Sequence, residues 1–227
     1  MSRENPLRTS IIEYLQSNRV STTEFADAMG KTGSLPGVSP ITERHFKAGV
    51  IRHIQVFGGS NYELHKQLEL CIPGDIIYVE PIDFGAEAVF GDLVAKYALL
   101  YKGAAAIVVK GNVRDLTRLK KEGYPIWATG SNPVGAINTE VNAKTKFDLE
   151  FDGGVAVCDD GGVVLCPPNL VNESLFKAVR LIELQEDIWY YCLNTLKWST
   201  FDIICKKRYL SEPDSIPPHF LDALELN

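Results

Sequence analysis

FGDLVAKYALLYKGAAAIVVKGNVRD, residues 90–115, holds the turn, helix, strand and second turn from which the fold is read. Gly91-Asp92 opens a helical stretch in which Leu93, Tyr97 and Tyr101 share a face, with Val94 and Ala98 beside them. Gly103 ends it, as glycine does where the chain must turn left-handed. Ala104 to Val109 follows without polar alternation, the pattern of a strand covered on both faces. The chain then turns at Gly111-Asn112-Val113-Arg114-Asp115 into a helix from Leu116 to Glu122, closed by Gly123. A further strand starts at Pro125 to Ala128. Strands and helices that alternate in this way imply right-handed crossovers and an α/β domain with a partly parallel central sheet.

Upstream, residues 7–18 read as an amphipathic helix with Leu7, Ile11, Ile12 and Leu15 on one face. Ser21-Thr22-Thr23-Glu24 has the form of a capping box for a short helix through Met29. Five glycines and prolines mark 30–41 as loop. Val50 to Phe57 is expected as a strand and Asn61 to Cys71 as a helix. Ile72-Pro73-Gly74-Asp75 turns into a β-rich run, Ile76 to Val79. Downstream, Phe147 to Leu165 reads as strands and hairpins, and Asn169 to Lys197 as helix. One domain over 1–210 is expected, with an irregular tail at 211–227.

Hydrophobic residues make up 45% of the 227 and charged residues 23%, with a net charge of −6. That composition suits a globular protein with a sizeable core. The negative charge argues against a nucleic-acid or anionic-membrane surface, both of which need excess Lys and Arg. No apolar run reaches membrane-spanning length, and the first residues lack a signal-peptide core. Five scattered cysteines without a Cys-x-x-Cys spacing read as buried thiols of a cytoplasmic protein.

With Asp92 as helix cap, the amides of Leu93, Val94 and Ala95 would be free to face an anion. Arg114 beside Asp115, past the end of the next strand, would set an anion clamp next to an oxygen ligand for a hard cation. Ligands of open α/β sheets collect at the carboxyl ends of strands, so the two turns could face each other. On residue types alone, a helix cap and a surface ion pair remain the plainer reading.

The segment 90–115 nevertheless resembles the core of the family that includes regulator of ribonuclease activity A and the class II 4-hydroxy-4-methyl-2-oxoglutarate aldolases. The resemblance continues in Ser21 to Met29, in Cys71-Ile72-Pro73-Gly74-Asp75 and its strand to Val79, in Tyr124 to Ala128, and in Asp159 to Pro167. It covers roughly residues 20–200, and several motifs in order are far more specific than one. It implies a swivelling β/β/α fold assembled as homotrimers or hexamers, with sites at subunit interfaces.

For the aldolase members it implies that Gly91 to Val94 bind substrate through backbone amides, that Arg114 holds pyruvate, and that Asp115 binds Mg²⁺ or Mn²⁺. Asp92 and a Glu from a neighbouring subunit, Glu186 or else Glu183, would steer water. The implied reaction is retro-aldol cleavage or oxaloacetate decarboxylation of a small 2-keto acid, with no Schiff-base lysine. A non-enzymatic regulator that masks a protein partner is the alternative, and retention of Asp115 separates the two. An enzyme with a different keto acid is a third possibility.

Three departures stand out. Twenty-one residues, 93–113, separate Asp92 from Arg114, one more than is typical of the aldolases. The extra residue is either absorbed by a helix bulge before Gly103 or rotates Asp92 away. Lys110 replaces a common Asp, and Asp152-Gly153-Gly154 stands for a later Pro-Gly-Asp turn. Elsewhere, His45, His53, His65 and His219 lack metal-ligand spacing, though His65 could line a pocket. Gly58-Gly59-Ser60-Asn61 reads as a loop, and Trp189, Tyr190 and Tyr191 as core or subunit interface.

Overall fold

The computed structural model describes residues 5–141 and 148–220. The expected start of the hairpin region at Phe147 and the end of the tail, 221–227, lie outside the described residues.

Four parallel strands form the middle of the sheet: β2 (Lys47–Phe57), β3 (Ile76–Ile82), β5 (Ala106–Val113) and β6 (Ile126–Ser131). A two-residue strand, β1 (Ser39–Pro40), pairs antiparallel with β6 at one end. At the other, β2 pairs with the hairpin β7 (Val155–Asp159) and β8 (Gly162–Cys166). A three-residue strand, β4 (Ala88–Phe90), adds to β5 in parallel.

Residues 33–40, which read as loop, all but close this sheet into a barrel. The Leu165 amide donates to Gly33 O at 2.8 Å, and the Leu35 amide to Val163 O at 3.0 Å. Gly33 has φ +82, and a Cβ there would sit 2.8 Å from Leu165 O, so only glycine fits the seam.

Alternation along the strands sorts the side chains into layers. Ile51, Ile76, Tyr78, Val108, Trp127 and Leu165 fill the barrel. Trp127 is fully buried, with its indole N–H donating to Asp159 O at 2.8 Å. Truncating a buried aromatic of this kind costs about 3–5 kcal/mol. Ile77, Val79, Ile107, Val109 and Ile126 point outward and pack under α3 (Tyr62–Leu68), α4 (Asp92–Lys96) and α5 (Leu116–Glu122). On the opposite side, α1 (Pro6–Asn18), α2 (Thr22–Ala28) and α6 (Glu173–Asn194) share a core with Val155, Val157 and Val164.

Helix ends follow local chemistry. The Ser21–Glu24 capping box forms in both directions, at 2.6 and 3.2 Å. Asn172 caps α6 by accepting from the Leu175 amide at 3.0 Å. The α3 helix is shorter than read, because the chain turns at Glu69–Cys71 before Pro73. The end of α6 and α7 (Arg208–Ser211) build a small core of Ile188, Cys192, Ile203, Tyr209 and Ile216. Residues 213–215, read as irregular, form a 3-10 turn against it. Among the described residues no helix is long and apolar enough to cross a membrane.

Candidate functional site

Strand β4 creates the site. Its pairing of Phe90 with Val113 brings the two strand ends into register, and the Arg114 amide donates to Phe90 O at 2.9 Å. Gly91-Asp92 and Arg114-Asp115 therefore leave the sheet side by side, as the expected facing of the two turns requires. The cap of α4 is Gly91 rather than Asp92, which is the first helical residue. The Ala95 amide is already bonded to Gly91 O at 3.1 Å. The leading amides of the helix are thus those of Asp92, Leu93 and Val94, one residue earlier than expected.

Asp92 spends its amide on Asp115 Oδ2, at 3.2 Å. Asp115 adopts φ 59, ψ 32 and makes no side-chain cap to its own helix. A non-glycine residue in the left-handed region costs about 1 kcal/mol or more, which the fold must supply. What it gains here is a carboxylate aimed across the cleft. Arg114 Nε lies 3.7 Å from that carboxylate.

Two glycines make room for the arginine. A Cβ on Gly91 would lie 2.2 Å from Asp115 Oδ2 and 2.9 Å from Arg114 Cγ, and one on Gly135 would lie 2.5 Å from Arg114 Nη1. Sequence reasoning missed Gly135, which reaches the site by bridging to Ala88 after β6.

Arg118, on the first turn of α5, was missed as well. Its Nη1 donates to Asp92 Oδ2 at 2.5 Å. That bond, more than burial, holds the Asp92 carboxyl below its ordinary range and raises the guanidinium of Arg118. The two carboxylates so face one another, each with its own arginine. An open cleft of about 800 Å³ extends from them between α4 and α5, lined by Lys96, Thr117, Arg118, Lys121, Glu122 and Tyr124.

Beyond Lys96 the helix continues as a π-helical turn over Tyr97–Tyr101, where the Lys102 amide bonds Tyr97 O at 3.0 Å. A π turn takes up one residue more than an α turn. The stretch between Asp92 and Arg114 therefore reaches β5 with Asp92 still bonded to Asp115. The face shared by Leu93 and Tyr101 is outward, at 77% and 74% exposure; Ala95, Ala98 and Leu99 are the buried side.

Glu186 is far from this cluster in its own chain. It lies on α6, which packs against α2, and burial together with Glu24, Asp27, Asp187 and Glu183 raises its carboxyl. Glu183 is raised too, chiefly by burial. Lys110 approaches Glu80, at 3.8 Å. His65 stands exposed on α3. Ser60 and Asn61 are engaged with Thr139 O and Val89 O at 2.6 and 2.9 Å. Four cysteines are buried, and Cys205 is exposed.

The family model described as RraA-like, Aldolase/RraA, matches residues 22–165. A Halalkalibacterium halodurans protein named "Putative 4-hydroxy-4-methyl-2-oxoglutarate aldolase" is 29% identical over 171 residues, 73% of this chain and 81% of that protein. The crystal structure of Streptomyces coelicolor RraAS2, titled an unusual member of the RNase ES inhibitor RraA protein family, superposes with a TM-score of 0.64. It is 27% identical and covers 82% of this chain and 98% of its own. An uncharacterized protein of Pseudomonas syringae pv. tomato shares the fold, with a TM-score of 0.69 at 21% identity over 85% of this chain and 96% of its own. With the matched segment spanning both strand-end turns and the β7–β8 hairpin, the chain belongs to the RraA-like family.

Proposed function

We propose that the protein is a divalent-metal-dependent lyase of the cytoplasm. It would cleave or decarboxylate a small 2-keto dicarboxylic acid, of the 4-hydroxy-4-methyl-2-oxoglutarate or oxaloacetate type, to give pyruvate. The observation that carries this reading is the packing of Arg114 and Asp115 over Gly91, where an added Cβ would displace both side chains from their present positions.

Among the described residues no group of three His, Cys, Asp or Glu side chains is placed to hold a metal. Asp115 with Asp92 fits the lighter demand of Mg²⁺ or Mn²⁺, which take one or two carboxylates and fill their shell with water and substrate oxygens. Bound there, the cation would supply Lewis-acid polarisation of the keto oxygen.

The chain's own residues do the rest. Arg114 neutralises the substrate carboxylate and fixes its orientation. The amides of Leu93 and Val94 would face the same anion, Leu93 giving up its contact to the Asp92 carboxylate to do so. Asp92 orients water at the reacting carbon. Glu186, remote from its own Arg114, would serve the site of a neighbouring copy in a homotrimer or hexamer, where its raised affinity for protons suits it to accept one.

The test is pyruvate release from oxaloacetate and from 4-hydroxy-4-methyl-2-oxoglutarate, with Mg²⁺ or Mn²⁺ and with chelator. Metal-dependent release that disappears in Asp115→Ala and Arg114→Ala is expected. A folded protein that releases none from either substrate would sink the reading. Its rival, a non-enzymatic regulator acting by protein contact, is favoured by the likeness to RraAS2 and by the exposed Leu93–Tyr101 face. It would then be tested by co-purification with a ribonuclease.

A further inference from the structure

Arg118 is unexplained by the reading above, which gives Asp92 a role beside a cation and assigns no partner to it. The guanidinium already occupies Asp92 Oδ2. It does so from the solvent side, at 68% exposure, and so owes its position to charge rather than to packing. Lys96 and Lys121 line the same cleft, and neither forms an ion pair among the described residues. Glu122 is the one further carboxylate on the cleft wall beyond Asp92 and Asp115.

A divalent cation that draws on both carboxylates would have to share the Asp92 carboxylate with Arg118, which already holds its Oδ2. We propose that Arg118 is a built-in counter-ion that competes with the cation for Asp92 and holds cation binding weak in the substrate-free protein. This rests on the assignment of Asp92 and Asp115 as the cation site. The substrate's carboxylates add negative charge to the cleft and let the cation compete, so that metal and keto acid load together. Single and double charges about 5 Å apart in a water-like medium repel enough to weaken binding by about tenfold. A purely positioning arginine predicts the reverse, because its loss would leave Asp92 free to swing away.

The experiment is a Mn²⁺ titration of the full chain without substrate, read from the electron paramagnetic resonance signal of free Mn²⁺, on wild type, Arg118→Gln and Asp115→Asn. Expected are measurable binding in wild type, loss in Asp115→Asn, and about tenfold tighter binding in Arg118→Gln. Unchanged or weaker binding in Arg118→Gln, with the Asp115 dependence intact, overturns the counter-ion role and leaves the metal reading standing. No Asp115-dependent binding in any variant overturns both. Arg118→Met, which keeps the aliphatic stem, replaces the Gln variant if that one fails to fold, and is held to the same outcomes.

Discussion

Glu80 sits where β2 and β3 leave the barrel, and replacing it with Gln tests how that end is held together. Its carboxylate lies 3.3 Å from Nε2 of the buried His53 and accepts from Gln55 Nε2 at 2.9 Å, with Lys110 Nζ at 3.8 Å. The His53 contact foremost, against the opposing effect of burial, lowers the carboxyl from 4.5 to about 2. At about 1.36 kcal/mol per pH unit, that difference is worth about 3 kcal/mol. The side chain is 21% exposed, and solvent screening brings the figure to about 2 kcal/mol. The folded state has the depressed value. The stabilisation is therefore complete above the ordinary carboxylate range and is lost as pH falls from about 4.5 towards 2. Urea unfolding of wild type and Glu80→Gln from pH 7 to pH 3, at one protein concentration, should show the variant about 2 kcal/mol less stable at pH 7. The gap should shrink steadily below pH 5. A gap that stays constant down to pH 3, or a variant as stable as wild type at pH 7, would refute the reasoning.

Three more outcomes follow from contacts already described. Gly91→Ala keeps an allowed backbone, φ −133 and ψ −158, but displaces Asp115 and Arg114; unfolding should change by about 1 kcal/mol or less, while pyruvate release falls about a hundredfold, and activity within threefold of wild type would count against the site. Gly135→Ala pushes on Arg114 alone, so it should raise KM for the keto acid and leave substrate-free Mn²⁺ binding unchanged in the same titration. Burial pushes the Cys71 thiol up to about 11 and Cys166 up to about 12, so a thiol reagent on the native protein should find one fast cysteine, abolished by Cys205→Ser.

The sequence was most readable where structure is local. The capping box at Ser21–Glu24, the glycine stops at Gly103 and Gly123, and the apolar run into β5 each act within a turn or two of chain. The pairing of Arg114 with Asp115 and their position at a strand end were legible on the same grounds. What was not legible depends on distant partners. Ala88-Val89-Phe90 is too short to signal a strand, yet its pairing with β5 is what sets Gly91 against Arg114. Residues 33–40 carry turn-forming composition, and their barrel role exists only because β6 and β8 supply the hydrogen bonds.

The helix at 92–101 is a different case. Its periodicity correctly put Leu93 and Tyr101 on one face, but an apolar face meant for another surface has the same spacing as one meant for the core. The small residues Ala95 and Ala98 pack inward instead, letting the helix sit close to the sheet. Arg118 could have been found from spacing, since a basic residue one turn after Arg114 on the following helix points back towards the same strand end. Gly135 offers no such clue, because only the loop path after β6 brings it to the guanidinium.

The near-closed barrel also dictates the order in which the chain can fold. Its seam joins residues 33–40 to Trp127 and Ala128 on one side and to Val163–Leu165 on the other. Those partners are made long after residues 33–40 leave the ribosome, so the seam is among the last contacts a nascent chain can form. The β7–β8 hairpin is local and closes fast, whereas each seam contact must first overcome the entropy of a long loop. Until the hairpin emerges, the Lys47–Val50 edge of β2 lacks its partner, and that interval is when the growing chain is most exposed to aggregation.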